Sequence, residues 1–432
     1  MATTSRRIPD GPKEKYNSDE DLLLWLGRNI EQYGDLFRAS IYGTDVYVVN
    51  APQYADHVLL KNWQNYPKGQ AIKRIALLLG NGLMVSKGEL WMRQRRMMQP
   101  AFNRHALAPF AGIIIAANER LLRKWEQAGR AGTHVNATRD ISLMILEIVL
   151  RAIFGDDYNL VAPQFQVVSD EAARNLEFAI AFTSLGKIIV EIAENRRREG
   201  RNNADFLGLL MQARDRGSGE GMSDAQLSKE IMTLIVAGHE TTASTLNWVW
   251  YLLAQNPPAE RKLALELERL PRGAIPRVED LAGYPYVRQV IEEALRIYPP
   301  GWLMTRKAIR EDQLGEYWVP AGTEIYIAPY YMQRHPGLWT APDAFDPDRF
   351  DPAATQDRPA LAMLPFSVGP RNCIGEHLAR MEMQFHLIII GSRLRMRLID
   401  AEPPSLAAGV NLLSAHDFIM SPELKSSNDA GL

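Results

Sequence analysis

A single cysteine in 432 residues constrains this chain more than any other feature. Cys373 can enter no internal disulfide and no multi-thiolate metal site. It lies in Pro365-Phe366-Ser367-Val368-Gly369-Pro370-Arg371-Asn372-Cys373-Ile374-Gly375, with glycines four residues before it and two after it and an arginine two residues away. A helix-like run follows from His377 to Ile390, with Leu378, Met381, Phe385, Ile388 and Ile389 at helical spacing. A thiol at a helix start, close to backbone N–H groups and a cation, is biased toward thiolate. The glycines let a large flat group approach the backbone closely. A lone cysteine is more often a small buried hydrophobe, so this loop needs support from the rest of the chain.

The length exceeds the usual single core of about 250–300 residues, and a large domain or two packed lobes is expected. A formal net charge of −2 creates no global field to recruit nucleic acid or an anionic membrane. No apolar signal core follows the polar start, Met1 to Lys15. The longest run without a polar side chain, Ala106–Ala117, is well short of the roughly 20 residues a membrane span needs. A cytoplasmic protein with no membrane span and no nucleic-acid partner is expected.

In chain order, the spacing predicts an amphipathic helix over Asp19–Tyr33, a hairpin of Leu36–Ile41 and Val46–Val49, and a helix over Pro52–Asn62. An irregular apolar section then runs through Leu77, Leu78, Leu79 and Leu83. Trp91 and Arg95, four apart on a helix, share a face, with Arg93 and Arg96 free to point outward. Pro109–Arg151 reads as helical with a break near Gly129–Gly132. Gln164–Phe182 and Gly186–Arg198 read as two helices with almost no loop between them. Ser223-Asp224-Ala225-Gln226 opens a helix that Asn256-Pro257-Pro258 stops, a rod of about 48 Å. At its centre, Ala237-Gly238-His239-Glu240-Thr241-Thr242 holds poor helix formers, and a local bulge is expected there. Glu293 and Arg296 form an i,i+3 pair of the kind common on protein surfaces. Val319–Ala328 reads as a strand pair turning at Pro320-Ala321-Gly322, and Val410–Met420 as a final hairpin.

Phe366, Gly369, Arg371, Cys373 and Gly375 match the haem-binding loop Phe-x-x-Gly-x-Arg-x-Cys-x-Gly, so the chain resembles the cytochrome P-450 (haem-thiolate) family. Trp91/Arg95, Gly238–Thr242, Glu293/Arg296, Arg349 and Cys373 fall in family order, and the resemblance covers nearly everything from about Leu36 onward. It implies a mainly α fold with small β-sheets, the haem lying between a long central helix and the Cys-loop helix. Residues 1–35 would be an N-terminal segment and first helix, and 36–432 a single catalytic domain, β-rich near 36–50 and 305–330. The cofactor would be haem b, with Cys373 as the iron ligand; a thiolate pushes electron density onto iron and favours O–O cleavage. Phe366, Gly369, Arg371 and Gly375 would shape the haem loop, and Trp91, Arg95 and Arg306 would bind propionates, a guanidinium matching two carboxylate oxygens. Ala237 would line the oxygen side, with Glu240 and Thr241 relaying protons; His239 falls at a variable position and takes no role. Glu293, Arg296 and Arg349 would form a rigid network under the haem loop. Leu77, Leu79, Leu83, Trp302, Leu303, Met304 and Leu413 are candidate pocket residues. The Phe154–Asp205 roof is shorter than the family pattern.

The activity implied is monooxygenation of an apolar small molecule (terpenoid, steroid-like or fatty-acid-like) by O2, with electrons from a ferredoxin- or flavodoxin-type donor and its reductase. A locally basic surface around Arg93 and Arg96 would suit an acidic donor. Two alternatives stand beside it: a peroxide-driven peroxygenase or oxygen-independent isomerase/dehydratase, and a non-catalytic haem protein that binds gas or carries electrons. Members of the first kind typically lose the acid–alcohol pair, and the pair would be idle in the second.

Overall fold

Ser223 starts the longest helix: its Oγ accepts the Gln226 N–H at 3.3 Å, and 32 residues then run from Asp224 to Gln255. The structure is a computed structural model describing residues 6–17, 20–166, 176–271, 274–356, 358–399 and 404–425, with all their side chains except 74, 78, 166 and 176–183. The central helix is unbroken through Gly238–Thr242, where a bulge was expected. Thr241 Oγ1 donates to Ala237 O at 2.8 Å and Thr245 Oγ1 to Thr241 O at 3.0 Å. The hydroxyls are thus satisfied inside the helix without opening it.

The chain packs as two compact units. The one holding the central helix comprises Lys73–Val287, Ile374–Ala401 and Asp417–Leu432. Ala137–Phe154, Leu176–Arg198 and Glu376–Gly391 pack on the central helix, and Ala111–Ala131 packs in turn on Ala137–Phe154 and Glu376–Gly391. Gly238 lets Ala137–Phe154 come close, since a Cβ there would stand 3.3 Å from Val149 Cγ2. Buried His386 bridges three helices: Trp250 Nε1 donates to its Nε2 and its Nδ1 faces Asn118 Oδ1, both at 2.8 Å. Burial lowers its pKa to about 3, so it is a neutral packing residue. The break expected at Gly186 is absent; Leu176–Arg198 is one helix, and the rest of the expected Gln164–Phe182 helix lies partly outside the described residues. Gly186 is instead a contact point, its carbonyl accepting from Ser228 Oγ at 3.3 Å. Ile72–Leu79 is helical where an irregular section was expected. In this unit Ile419–Leu424 pairs antiparallel with both Leu394–Leu398 and Val135–Asn136.

The other unit comprises Met1–Ile72, Arg288–Cys373 and Glu402–His416. Its four-stranded sheet runs in the order Leu36–Ile41, Thr44–Val49, Glu324–Ile327, Met304–Lys307. The central pair is parallel and the outer pairs antiparallel. Tyr42 and Gly43, both at positive φ, close the first hairpin. The strand pair expected over Val319–Ala328 does not form. Tyr317–Val319 pairs with Asp312–Leu314, whereas Glu324–Ile327 enters the large sheet, because Gly322 donates to Ala308 O at 2.7 Å and redirects the chain. The expected tail hairpin also divides: Leu406–Ala408 pairs with Leu412–Ser414 here, and Ile419–Leu424 belongs to the other unit.

Candidate active site

Cys373 is an exposed thiol at the end of a strained loop. Its N–H donates to Phe366 O at 2.8 Å, Asn372 N–H to Gly369 O at 3.0 Å, and Ser367 N–H to Leu364 O at 3.1 Å. Ser367 sits at φ 57°, a region costing a non-glycine residue on the order of 1–3 kcal/mol and held only where the surroundings over-determine it. Gly369, at φ 73°, rests on the π-helical turn His57–Lys61; a Cβ there would stand 2.5 Å from Leu59 O. Pi turns of this kind are rare, and this one forms part of the seat of the loop. The helix after the loop begins at Glu376, with Gly375 as its cap residue.

Three cations gather by the thiol loop. Lys68 bridges Arg306 across two backbone segments, with Gly69 N–H donating to Thr305 O at 3.1 Å and Lys307 N–H to Pro67 O at 2.9 Å. Burial and then neighbouring Arg306 and Arg371 pull the Lys68 ammonium down to about 7, against the opposite pull of Cys373. Burial lowers Arg306 and Arg371 to about 10 each, with Arg371 adding to the effect on Arg306. A thiol with one buried ammonium near it, and two desolvated guanidinium groups near that ammonium, fits a flat ligand that brings a metal for the sulfur and carboxylates for the cations. Haem, with two propionates, is such a ligand. Lys68 was missed in the sequence; the following Gly69, whose Cβ would stand 2.3 Å from Glu324 Oε2, was the only local sign of a close approach.

The same unit brings Glu293, Arg296 and Arg349 together. Arg296 Nε and Nη2 reach the two Glu293 oxygens at 2.6 and 2.8 Å, and Arg349 Nε reaches Oε1 at 3.1 Å. Glu293 and Arg296 are fully buried, and Arg296 also donates to the carbonyls of Gln333, Pro342 and Ala344. Gln333, also missed, links this cluster to the thiol loop: its Nε2 donates to Leu295 O and Arg296 O at 3.0 Å, and its Oε1 accepts Leu364 N–H at 2.7 Å. Trp302 is corrected. It is 4% exposed, packs with Trp25, Phe37 and Tyr326, and donates from Nε1 to Gly409 O at 3.0 Å, so its surface is spent on the core. Leu303, Met304 and Leu413 are half-buried.

In the central-helix unit, Trp91 is buried and Arg95 half-buried on Gly88–Met98. Arg93 and Arg96 do point outward, but onto Asp215 and Glu220: Arg96 Nη2 lies 3.2 Å from Asp215 Oδ1, and Arg93 Nη2 3.2 Å from Glu220 Oε2. The basic surface expected there is largely neutralised. Leu79 and Leu83 are buried, whereas Leu77 is 88% exposed and so is corrected as a lining residue. Ala237 is half-buried, its carbonyl taken by Thr241; Glu240 is exposed. His239 ties the central helix to Ala137–Phe154. Its Nε2 lies 3.0 Å from the Ser142 carbonyl, which can only accept, so Nε2 carries the proton. Burial lowers its pKa.

Glu382, on the helix after the thiol loop, was not singled out in the sequence. It is 2% exposed, accepts a hydrogen bond from Thr242, and has no partner for Oε1 among the described residues. Burial pushes its carboxyl up to about 8. The folded state therefore holds this proton more tightly than the unfolded chain. Its stabilising effect is full below about pH 4.5 and is lost as pH rises to about 8, on the order of 1 kcal/mol per pH unit. Glu382→Gln is expected to flatten this part of the stability profile, so that it gains on the wild type between pH 5 and 8 in urea titrations. Parallel profiles for the two proteins would refute the assignment.

The cytochrome P450 family profile matches residues 15–178 and 163–416. Cyclooctatin synthase of Streptomyces melanosporofaciens is 31% identical over 394 residues, covering 86% of this chain and 85% of the relative. Cyclooctat-9-en-7-ol 5-monooxygenase of the same organism is 32% identical over 392 residues, covering 85% and 84%. Among solved structures, the retinoic acid-bound cyanobacterial CYP120A1 superposes with a TM-score of 0.86 at 22% identity, over 98% of this chain and all of that one. The cytochrome P450DA heme domain gives 0.85 at 23%, over 98% of each. The fold is the cytochrome P450 fold. This chain belongs to the cytochrome P450 family. It is a haem-dependent monooxygenase that takes electrons from a redox partner. Among the described residues, no helix is long and apolar enough to cross a membrane.

Proposed function

We propose that this enzyme hydroxylates a terpenoid-type hydrocarbon skeleton, drawing electrons from a ferredoxin- or flavodoxin-type donor with its reductase in the cytoplasm. The observation that carries the substrate class is the 31–32% identity, over most of both chains, to the two cyclooctatin enzymes. Leu79 and Leu83, and separately Leu303, Met304 and Leu413, are apolar side chains of the kind such a skeleton would contact.

Cys373 would ligate the haem iron, with Phe366, Gly369 and Gly375 shaping its loop. Arg306 and Arg371, with Lys68 beside them, would hold propionate oxygens; Trp91 and Arg95 would be propionate contacts by the family resemblance alone. When bound, haem activates O2 with two electrons so that one oxygen atom enters a C–H bond and the other leaves as water. That reduction consumes two protons. Thr241 would pass them on from its hydroxyl, with Glu240, exposed to water one residue earlier, as the reloading acid. This pair supports the O2-driven reading over peroxide-driven or oxygen-independent chemistry.

Two measurements test the proposal. Polycyclic terpene alcohols are expected to shift the haem absorption band at lower concentration than fatty acids of equal carbon number; the reverse order would overturn the substrate class. With a ferredoxin and its reductase, Thr241→Ala is expected to lower product formed per electron by roughly 100-fold, within the range for loss of a proton-transfer group. Unchanged product and unchanged coupling would remove Thr241 from the relay.

A further inference from the structure

Glu230 lies two turns before Ala237 on the central helix and is fully buried. Its Oε2 accepts the Leu83 N–H at 2.7 Å across 147 residues of sequence, and its Oε1 accepts from Gln226 Nε2. Gln226 holds the position from which a capping box would reach back to Ser223, but its side chain reaches forward to Glu230 instead. The turn that Glu230 grips is wedged against the same helix face. A Cβ on Gly82 would stand 2.1 Å from Thr233 Oγ1 and 2.9 Å from Lys229 O, and one on Gly80 3.2 Å from Lys229 Cε. At its other side Asn81 O accepts from Gln94 Nε2 at 2.7 Å, and Gln94, 2% exposed, also bonds Ser86. Gln94 sits on the Trp91/Arg95 helix.

We propose that Glu230 is a positioning residue: it latches the Gly80–Val85 turn onto the central helix, and the closed turn sets how tightly an apolar ligand is held. The second half of this statement rests on the reading of Leu79 and Leu83 as pocket residues. The first half rests on geometry alone. The turn offers a buried backbone N–H, and the acceptor placed for it among the described residues is a carboxylate that is itself withdrawn from water. Burial raises that carboxyl to about 7, Lys229 being the charged group that opposes the rise, beside the hydrogen bonds from Leu83 and Gln226. The two hydrogen bonds favour the ionised carboxylate while burial favours the neutral acid, and burial outweighs them in the closed state. Opening hydrates the carboxyl and lets it ionise, so opening is favoured as pH rises from about 4.5 to about 7.

The test is hydrogen exchange of the backbone amides of residues 79–86 in the haem-loaded enzyme, corrected for intrinsic rates, together with the affinity for 4-phenylimidazole read from its haem absorption change. In the wild type, exchange is expected to rise by up to tenfold per pH unit between pH 5 and 7. In Glu230→Gln, whose amide oxygen accepts the same N–H, exchange stays low and loses this pH dependence. In Glu230→Leu, and separately in Gly82→Ala should the leucine variant not fold, exchange rises at least about fivefold at pH 5 and 4-phenylimidazole binds several-fold more weakly. Exchange that is the same in all variants would overturn the latch. Faster exchange with unchanged 4-phenylimidazole affinity would overturn the positioning role and with it the placement of Leu79 and Leu83 at the ligand, while leaving the haem site itself untouched.

Discussion

Glu293→Ala is expected to lower the unfolding free energy by about 3–5 kcal/mol, the largest stability loss of any single substitution considered for this chain. The reason is what it leaves behind. Arg296 is fully buried and Arg349 is 10% exposed by side chain, and both direct guanidinium nitrogens at the same carboxylate. Removing it strands charge where water cannot compensate. Against a typical total of 5–15 kcal/mol, such a loss brings the fold close to its limit. The damage should also reach the thiol loop, because Gln333 bonds both the Arg296 backbone and Leu364 N–H, and Leu364 O in turn accepts from Ser367 at its strained φ. Haem content should fall with stability. Glu316→Ala provides the contrast: its pair with Arg6 is exposed on both sides, 71% and 52%, and its loss should cost under about 1 kcal/mol. Urea midpoints and haem-to-protein ratios of the two variants check this. Similar midpoints would mean that the Glu293 cluster contributes no more than a surface pair.

How much could be read in advance follows the range of each signal. The central helix was legible because its cap at Ser223 and its stop at Asn256-Pro257 are local. The thiol loop was legible because five positions within ten residues are fixed by a backbone that must turn at Gly369. Glu293 and Arg296 were visible as a pair, but their burial came only with Gln333 and the 340s carbonyls folding over them. Glu230, Glu382 and Lys68 escaped notice because each is an ordinary charged residue whose partner lies far along the chain. Leu83 to Glu230 and Thr242 to Glu382 are contacts of packing, which no local pattern encodes. Trp302 failed for a related reason: an apolar aromatic after a proline turn suits a pocket wall and a core equally, and the Gly409 carbonyl decides for the core. The strands near 317–327 and 406–424 were found but misassigned to neighbours, since pairing is a choice among sheets that alternation alone cannot make.

Cys373→Ser carries the largest expected effect on activity: monooxygenase turnover should fall to background. A serine hydroxyl stays protonated near neutral pH, so it supplies no anionic sulfur-like donor, and the Lys68 ammonium near it cannot change that. The fold should survive, because serine is close in size to cysteine and the N–H bond to Phe366 O is a backbone contact that it retains. Haem should still enter if the cations proposed for its propionates hold it, as the proposal expects. The difference between the two proteins would then lie in one ligand atom.

The most direct measurement is the difference spectrum of the reduced, purified protein with carbon monoxide, taken on the wild type and on Cys373→Ser. The account predicts a Soret band at the position of thiolate-ligated haem in the wild type and its disappearance in the serine variant, with haem retained. A wild-type band at the position of histidine or protonated-thiol ligation, or a thiolate-type band that persists in Cys373→Ser, would contradict it.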